Sequence, residues 1–307
     1  MIQTHEMLSV NGQSLKISNP DKVYWPDENL TKADLIRYYH SVYRYIIRYL
    51  RDRPQSLRRN PNGIKDEGFF QKDAGPSVPG WVATKKIRAE SVNKDIDYIL
   101  CNDKATLTYL NNLGCIELNP WNSRIGKLDY PDYLVIDIDP SDENTFDQVV
   151  EVALAVREIC DSAGAASYCK TSGATGLHVY IPFHAAYTNE QCRTFAELLA
   201  NLTREALPST TTVERSLYKR NGRIYIDYLQ NKKGQTLACA YSLRPRPGAT
   251  VSAPLRWNEV KKGLHPADFN IHSMKTRIEK NGDLFSGVLT KKTNLEKSLK
   301  NLEAEAG

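Results

Sequence analysis

The chain has 307 residues, of which 41% are hydrophobic and 25% charged, and its formal net charge is +5 at pH 7. These proportions are those of a folded globular protein rather than a disordered or fibrous one. The apolar runs are too short to cross a bilayer, and no signal peptide is recognisable. We therefore expect a cytoplasmic protein with one large domain or two lobes that share a core, and the small positive charge permits a polyanionic partner without requiring one.

The cysteines argue against a zinc site or a disulfide framework. All six are scattered, and none forms a CxxC pair. Zinc sites and disulfide frameworks use paired or regularly spaced cysteines. We therefore expect reduced, mostly buried thiols, as is usual in a cytoplasmic protein.

The N-terminal part of the chain reads as two helices separated by strands and loops. Residues 31–50 have an apolar stripe at helical spacing, and Thr31 with Asp34 resembles a capping box. Residues 51–80 combine Pro and Gly with the segment GFFQK, a pattern of strand and loop rather than of a linker. A second helix is predicted at 104–113, where a glycine follows.

The middle of the chain alternates strands and helices. The boundary between lobes is weakly marked, and we place it near residue 120. The last segment, 291–307, is charged and predicts an exposed helix or a frayed tail. We predict strands at 132–139, 166–171, 178–183, 222–230 and 237–244, and helices at 145–162 and 189–207, the latter with Asn189 as N-cap.

The strand DYLVIDID at 132–139 carries two carboxylates on one face. Side chains two apart in a strand point the same way, so Asp137 and Asp139 share a face and Ile138 points to the other. Two such carboxylates in an apolar strand repel each other and lose hydration unless cations compensate them. A helix N-cap or a turn would also account for the pair, and Mg²⁺ or Mn²⁺ would suit it, because hard cations prefer oxygen ligands.

Two further segments carry polar groups beside apolar strands. In KTSGATGLHVYIP, residues 170–182, glycines allow backbone amides to approach an anion, and Ser172, Thr171 and Lys170 add donors. The G-K-[ST] ending of a Walker A loop is absent. His178 opens the following strand and could equally be a hydrogen-bonded core residue. In GRIYIDYLQ, Asp227 interrupts an apolar strand with Tyr225 and Leu229 on its own face, and needs a cation, donors or water.

Together these segments indicate a two-metal nucleotidyl-transfer site. Carboxylates on two strands would hold cations that stabilise the attacking and leaving oxygens of an in-line displacement. The glycine-containing loop and the arginines of SLRPRPG, Arg244 and Arg246, would neutralise a triphosphate.

At these residues the sequence resembles the polymerase domain of bacterial ligase D, in the archaeo-eukaryotic primase superfamily. The resemblance covers most of the chain, in the order of the family's motifs. It implies an α+β primase-polymerase fold over residues 1–290, with an N-terminal lobe of about 1–120, a catalytic lobe of about 121–290 and a charged tail at 291–307. Two β-sheets flanked by helices would hold the active site in the cleft between them. The motifs that carry it are NPDKVYWP, TKADLIRYY, GFFQK, NNLGCIELNPW, DYLVIDIDP, KTSGATGLHVYIP, IYIDYLQN and AYSLRPRPGATVSAPLRW.

The resemblance also implies the activity and its partners. It implies a template-dependent polymerase that needs Mn²⁺ or Mg²⁺, uses NTPs or dNTPs with ready incorporation of ribonucleotides, and serves non-homologous end joining. Its DNA would have gaps or broken ends with a 5′-phosphate, and Ku and a DNA ligase would be partners. We expect mostly a monomer, with a dimer across a break as an alternative, and no membrane association.

The family's functional residues fall on matching positions of this sequence. Asn119 stands where some relatives have a histidine, and no role is assigned to it. No lysine-x-aspartate-glycine ligase motif is visible, so the chain should extend ends without sealing them. The implied roles are metal ligation and catalysis by Asp137, Asp139 and Asp227; nucleotide binding by Ser172, His178, Arg220, Arg244 and Arg246; 5′-phosphate binding by Asn19, Lys22 and Lys32; and template binding by Phe69, Phe70 and Lys72.

Three functions fit the sequence. The first is a gap-filling and end-extending repair polymerase. The second is a de novo primase, which would use the same catalytic residues. The third is an end-binding and synapsis module with secondary catalysis, which the lysines for the 5′-phosphate and the basic segment 51–65 would support. Residues 85–97 could be a surface loop that bridges DNA ends, or could equally have no role in binding.

Overall fold

The protein, seen in a computed structural model, is described over residues 5–89 and 93–306. It has the mixed α+β architecture that the sequence predicted. No helix in these residues is long and apolar enough to span a membrane. The helices are α1 (Lys32–Leu50), α2 (Lys104–Asn112), α3 (Phe146–Ser162), α4 (Asn189–Ala206), α5 (Leu217–Arg220), α6 (Ser273–Asn281), α7 (Gly287–Thr290) and α8 (Leu295–Ala306).

The strands form several sheets, of which one has six strands and one has three. The remaining strands pair two by two. The strands are β1 (His5–Val10), β2 (Gln13–Ser18), β3 (Val23–Trp25), β4 (Leu30–Thr31), β5 (Gln55–Arg59), β6 (Phe69–Gln71), β7 (Thr84–Ala89), β8 (Lys94–Ile99), β9 (Cys115–Pro120), β10 (Tyr133–Asp139), β11 (Tyr168–Thr171), β12 (Leu177–Pro182), β13 (Thr211–Thr212), β14 (Ile224–Asp227) and β15 (Pro254–Leu255).

Two compact units share the chain, and neither is continuous in sequence. The first comprises Met1–Ile125, Thr236–Ser252 and Ala267–Gly282. The second comprises Gly126–Gln235, Ala253–Pro266 and Asp283–Gly307. The chain therefore returns to the first unit twice after leaving it near residue 125.

The first unit is built around α1 and the three-stranded sheet in the order β6-β5-β9. Helix α1 begins at the predicted capping box, in which Thr31 and Asp34 bond reciprocally. Its predicted apolar stripe is fully buried, as expected of a helix that packs by one face. The stripe comprises Leu35, Tyr39, Val42, Ile46 and Leu50.

The second unit is built around the six-stranded sheet, in the order β13-β14-β10-β12-β11-β15. Helices α3 and α4 pack on each other and against β10 and β12. The C-terminal segment forms α8, which packs on α3, and Asn301 Nδ2 donates to the carbonyl of Ala163 at 3.1 Å. It is therefore not a frayed tail.

Most predicted elements are confirmed to within a few residues, and three details are wrong. Helix α4 is capped by Thr188, whose side chain accepts from the Gln191 amide, and not by Asn189. Residues 237–244 form no named strand, because Tyr241 has a φ of 70° and the chain turns there. Residues 85–97 are mostly the antiparallel hairpin of β7 and β8, and its residues 90–92 lie outside the described part of the chain.

The cysteine prediction is confirmed. All six thiols are free and buried. Burial raises the pKa of Cys160 and of Cys169 to about 12, which keeps both thiols neutral and unreactive at pH 7.

Candidate active site

A row of polar side chains crosses four neighbouring strands of the six-stranded sheet. Asp227 on β14 lies opposite Asp137 on β10. Asp137 lies opposite His178 on β12, and His178 lies opposite Lys170 on β11. Directly opposed residues of antiparallel strands share a face and lie about 5 Å apart. The strand register thus brings together groups that are up to 90 positions apart in the chain.

Asp139 lies beside this row, two positions along β10 from Asp137. It lies opposite Tyr225 and on the same face as Asp137, as the period of two predicted. The isoleucine between the two aspartates is fully buried. The three aspartates are therefore neighbours on one face of the sheet.

Each carboxylate contacts a different proton donor. His178 Nε2 lies 3.2 Å from Asp137 Oδ1. Arg220 Nη1 lies 3.0 Å from Asp139 Oδ2. Asp227 accepts from the Tyr225 hydroxyl at 3.0 Å, the Leu229 amide at 2.8 Å and Gln230 Nε2 at 2.9 Å. The negative charge of the three aspartates, for which the sequence alone showed no compensating group, is thus balanced in the structure by hydrogen-bond donors.

Arg220 connects Asp139, which it contacts directly, with Asp227, which it reaches through Tyr225. Its guanidinium lies 4.2 Å from the ring centroid of Tyr225, whose hydroxyl donates to Asp227. The side chain is almost fully buried, and Nη2 also donates to the carbonyl of Arg215 at 3.3 Å. A planar guanidinium suits a site where a ring stack and a carboxylate must be met together.

The electrostatics show a site that favours positive charge. Burial raises the pKa of Asp139, the neighbouring Asp137 raises it further, and Arg220 lowers it in part. Burial and Asp137 likewise raise the pKa of Asp227, against the lowering effect of its hydrogen bonds. Carboxylates whose pKa is raised by one another are stabilised when a cation arrives.

The loop between β11 and β12 is closed by Ser172. Its Oγ accepts from the amides of Ala174 at 3.0 Å and Gly176 at 3.1 Å. Gly173 has a φ of 71°, which favours glycine. A Cβ on Gly176 would lie 2.1 Å from the carbonyl oxygen of Ile138, so glycine permits the loop to approach the strand of the two aspartates.

A divalent cation fits the donor set but not the present side-chain orientations. Within residues 5–89 and 93–306, no three His, Cys, Asp or Glu side chains form a ready metal cage. The three aspartates instead accept hydrogen bonds or face the donors given above. Three carboxylates on adjacent sheet positions nevertheless offer the hard oxygen ligands that Mg²⁺ and Mn²⁺ prefer.

The strand expectation for Asp227 needs one correction. The sequence predicted Leu229 on the same strand face, but β14 ends at Asp227 and Leu229 begins a 3₁₀ turn. Asp227 holds this turn through the Leu229 amide. The residue therefore has a structural role as well as a place in the acidic group.

In the first unit, the three predicted phosphate-binding residues lie together. Asn19 has a φ of 48°, and its carbonyl accepts from the Lys22 amide at 3.1 Å. The Lys22 carbonyl accepts from the Lys32 amide at 2.9 Å, and Lys22 Nζ hydrogen-bonds to Asn62 Oδ1. Lys32 Nζ donates to the carbonyl of Ser18 at 2.6 Å.

Lys32 is a buried cation among other cations. It is 3% exposed. Burial, and to a smaller extent the nearby charges of Lys22 and Arg59, lower its pKa to about 8. An anion placed among these three cations would stabilise the charged form of Lys32 and raise its pKa.

The predicted template residues lie on β6, and both phenylalanines are exposed. Phe69 is 47% and Phe70 57% exposed, which excludes the alternative that they are core residues. Arg59 lies 5.2 Å from the ring centroid of Phe69 and Arg58 5.1 Å from that of Phe70. Each phenylalanine ring thus contacts the arginine that lies opposite it on β5. Lys72 follows the end of β6 and is exposed.

Arg244 and Arg246 belong to the part of the first unit formed by Thr236–Ser252. Arg244 Nε donates to Glu117 Oε2 at 2.7 Å, and the glutamate is 5% exposed. Arg246 is exposed, and its carbonyl accepts from Trp25 Nε1 at 2.9 Å. The two arginines therefore differ, because Glu117 orients only Arg244.

Sequence reasoning missed Glu117, and it took Lys170 only as one of the donors beside the glycine-containing loop. Each is the single charged residue of its strand, Glu117 in the fully buried β9 and Lys170 in the mostly buried β11. A charge in such a strand requires a partner, so each was a readable signal.

Comparison with known proteins decides the family. The model of the LigD primase-polymerase domain matches residues 31–285. The chain belongs to this family. The resemblance seen in the sequence is thereby confirmed, and LigD primase-polymerase domains are nucleotidyltransferases that use nucleotide substrates with a divalent metal.

Individual relatives agree with the LigD assignment. The bifunctional non-homologous end joining protein LigD of Bacillus subtilis (strain 168) is 35% identical over 269 residues, which cover 87% of this chain and 43% of the relative. The multifunctional non-homologous end joining DNA repair protein LigD of Mycobacterium tuberculosis (strain ATCC 25618 / H37Rv) is 31% identical over 291 residues. These residues cover 91% of this chain and 37% of the relative. The chain thus spans about two fifths of the length of these curated relatives.

A solved structure confirms the fold. The polymerase domain from Mycobacterium tuberculosis ligase D, in complex with DNA, aligns with a TM-score of 0.83 at 27% identity. The alignment covers 91% of this chain and 99% of that domain. The α+β primase-polymerase fold is therefore that of this LigD-family chain.

Proposed function

We propose that the chain is a template-dependent polymerase that fills gaps and extends ends during non-homologous end joining of DNA double-strand breaks. The observation that carries the proposal is the group of three aspartates on one face of the sheet, in a chain of the LigD primase-polymerase family. The names of the relatives and the DNA complex of the similar domain support the repair setting.

Asp137, Asp139 and Asp227 are the residues that would hold divalent cations. Bound Mn²⁺ or Mg²⁺ would supply charge stabilisation at the attacking and leaving oxygens of the displacement. The raised pKa of Asp139 and of Asp227 supports this role, because both carboxylates gain from a nearby cation.

His178, Ser172 and Arg220 are proposed to bind the incoming nucleotide. His178 and Arg220 each contact one of the aspartates, so they can present donors beside the acidic group. The Ser172 hydroxyl, which is oriented by the amides of Ala174 and Gly176, would add a further donor. Arg244 and Arg246 are assigned to the same substrate by the resemblance alone.

The DNA contacts are proposed to lie in the first unit. Asn19, Lys22 and Lys32 would bind a 5′-phosphate, since two lysines and an amide suit a phosphate group. Phe69 and Phe70 would stack on template bases, with Lys72 beside them, because stacking accepts every base. Phosphate contacts release counterions, so affinity should fall steeply with salt.

Substrate range and partners complete the proposal. We propose ready use of ribonucleotides besides deoxynucleotides, and Ku and a DNA ligase as partners at the break. The protein would act mostly as a monomer, with two copies across a break as the alternative. As a repair enzyme of DNA it would work at the bacterial nucleoid.

The test is extension of a gapped DNA with and without a 5′-phosphate, using Mn²⁺ and either class of nucleotide. We expect phosphate-stimulated extension that Asp137→Ala abolishes while DNA binding persists. Asp161→Asn is the matched control, since this exposed carboxylate on α3 makes a weak surface ion pair. Extension without a primer would favour a de novo primase, and binding without extension would favour an end-binding module.

A further inference from the structure

Lys170 is a lysine in the interior of the six-stranded sheet. It is 0% exposed, on β11 between His178 of β12 and Pro254 of β15. Burying an ammonium group costs free energy unless it is paired and hydrogen-bonded. An apolar side chain of similar length would fill the same space without that cost. The lysine therefore points to a role for its charge or its protons.

The contacts of Lys170 lead toward the acidic group. Its Nζ lies 2.8 Å from His178 Nδ1 and 5.5 Å from the ring centroid of Tyr180. On the other side of the imidazole, His178 Nε2 lies 3.2 Å from Asp137 Oδ1. The three side chains thus form a continuous chain across β11, β12 and β10.

The direction of the hydrogen bonds follows from the donors. An ammonium group has three donors and no acceptor, so His178 Nδ1 must accept from it. The ring proton then lies on Nε2, where it faces Asp137. A histidine ring is commonly fixed in tautomer and orientation by the hydrogen bond at its other nitrogen.

We infer that Lys170 is a positioning residue for the nucleotide site. From inside the sheet it donates to His178 Nδ1, and so holds the Nε2–H of His178 toward Asp137 and the incoming triphosphate. This inference rests on the proposed function of His178 in nucleotide binding. It assigns to Lys170 no contact with the substrate.

The first test reads the tautomer directly. Nitrogen NMR of histidine-labelled wild-type protein, with the His178 signals assigned by their loss in His178→Gln, should show the proton on Nε2. Lys170→Met should weaken that preference, whereas Lys16→Met on the exposed edge of β2 should not. A His178 ring protonated only on Nδ1 in the folded wild type would overturn the inference, whatever the polymerase activity.

The second test is a double-mutant cycle on nucleotide KM. Lys170→Met should raise KM about tenfold with a smaller change in kcat, since residues that orient a site's ligands typically cost tenfold or more when lost. In a His178→Ala background the same substitution should leave KM unchanged, because the two residues act as one unit. Equal effects of Lys170→Met in both backgrounds would show a merely structural lysine.

The outcomes separate this inference from the proposed function. Wild-type extension with independent effects of the two substitutions would leave the polymerase proposal intact and reject Lys170 as a positioning residue. Absence of wild-type extension would reject the polymerase proposal, and the NMR result would still decide whether Lys170 sets the tautomer of His178. Should Lys170→Met not fold, the wild-type tautomer alone decides.

Discussion

Replacing Lys32 by methionine should abolish the pH dependence that this lysine gives to stability. Lys32 is 3% exposed, and its Nζ donates to the Ser18 carbonyl at 2.6 Å and approaches the Ser18 hydroxyl at 3.1 Å. Burial lowers its pKa from 10.5 to about 8, and nearby cations contribute. Methionine fills a similar volume but carries no charge.

The size of the effect follows from the change in pKa. At about 1.4 kcal/mol per pKa unit, a pKa of about 8 instead of 10.5 disfavours the folded protein by about 3 kcal/mol while Lys32 is charged. Below pH 8 the lysine is charged in both states, so this penalty is fully present. Between pH 8 and 10.5 the unfolded state binds more protons, and the stability of the wild type rises with pH.

The assay is urea unfolding of the wild type and Lys32→Met at several values between pH 7 and pH 10.5. Across this range, the free energy of unfolding of the wild type should rise by about 3 kcal/mol relative to that of the variant. The loss of the Ser18 hydrogen bonds offsets the two curves at every pH without changing their slopes. Lys16→Met should parallel the wild type, and curves for Lys32→Met that also run parallel to the wild type would refute the reasoning.

Three further substitutions have defined expectations. Phe70→Ala should weaken template binding roughly tenfold by loss of stacking and change the free energy of unfolding by less than about 1 kcal/mol, as measured by fluorescence anisotropy and urea unfolding. Glu117→Gln should lower stability by about 2 kcal/mol and raise nucleotide KM, because Arg244 loses its carboxylate, which steady-state kinetics would show. Gly176→Ala should cost at least about 2 kcal/mol in urea unfolding, because its Cβ would meet the carbonyl of Ile138.

Each of these expectations has a result that contradicts it. Unchanged template affinity in Phe70→Ala would show that the exposed ring does not stack on DNA. An unaltered KM in Glu117→Gln would remove Arg244 from nucleotide binding while leaving the ion pair as a structural contact. Wild-type stability in Gly176→Ala would mean that the loop does not approach the strand of the aspartates as closely as described.

Local periodicity was enough to place the aspartates on one face. The period of two fixed the relation of Asp137 to Asp139, and an isolated charge in an apolar strand marked Asp227. Their meeting depends on the pairing of β10 with β14, which joins segments far apart in the chain. No local pattern contains that choice of partner, so only the resemblance could predict it.

The errors have local physical causes. Residues 237–244 look like a strand because they are apolar, but Tyr241 adopts a positive φ that only the tertiary contacts impose. Thr188 caps α4 because Gln191, three residues later, completes a capping box, a rule that was readable from the sequence. No change in amino-acid composition marks the points, Thr236 and Ala267, at which the chain returns to the first unit.

The most direct test of the account is Mn²⁺ binding by the wild type and by Asp227→Asn, followed by electron paramagnetic resonance of the free ion. We expect the wild type to bind Mn²⁺ in the presence of nucleotide triphosphate, and the substitution to weaken binding at least about tenfold because it removes a charged oxygen ligand. Asp161→Asn should bind as the wild type does. Equal Mn²⁺ affinity in wild type and Asp227→Asn would contradict the assignment of the aspartate group as the metal site.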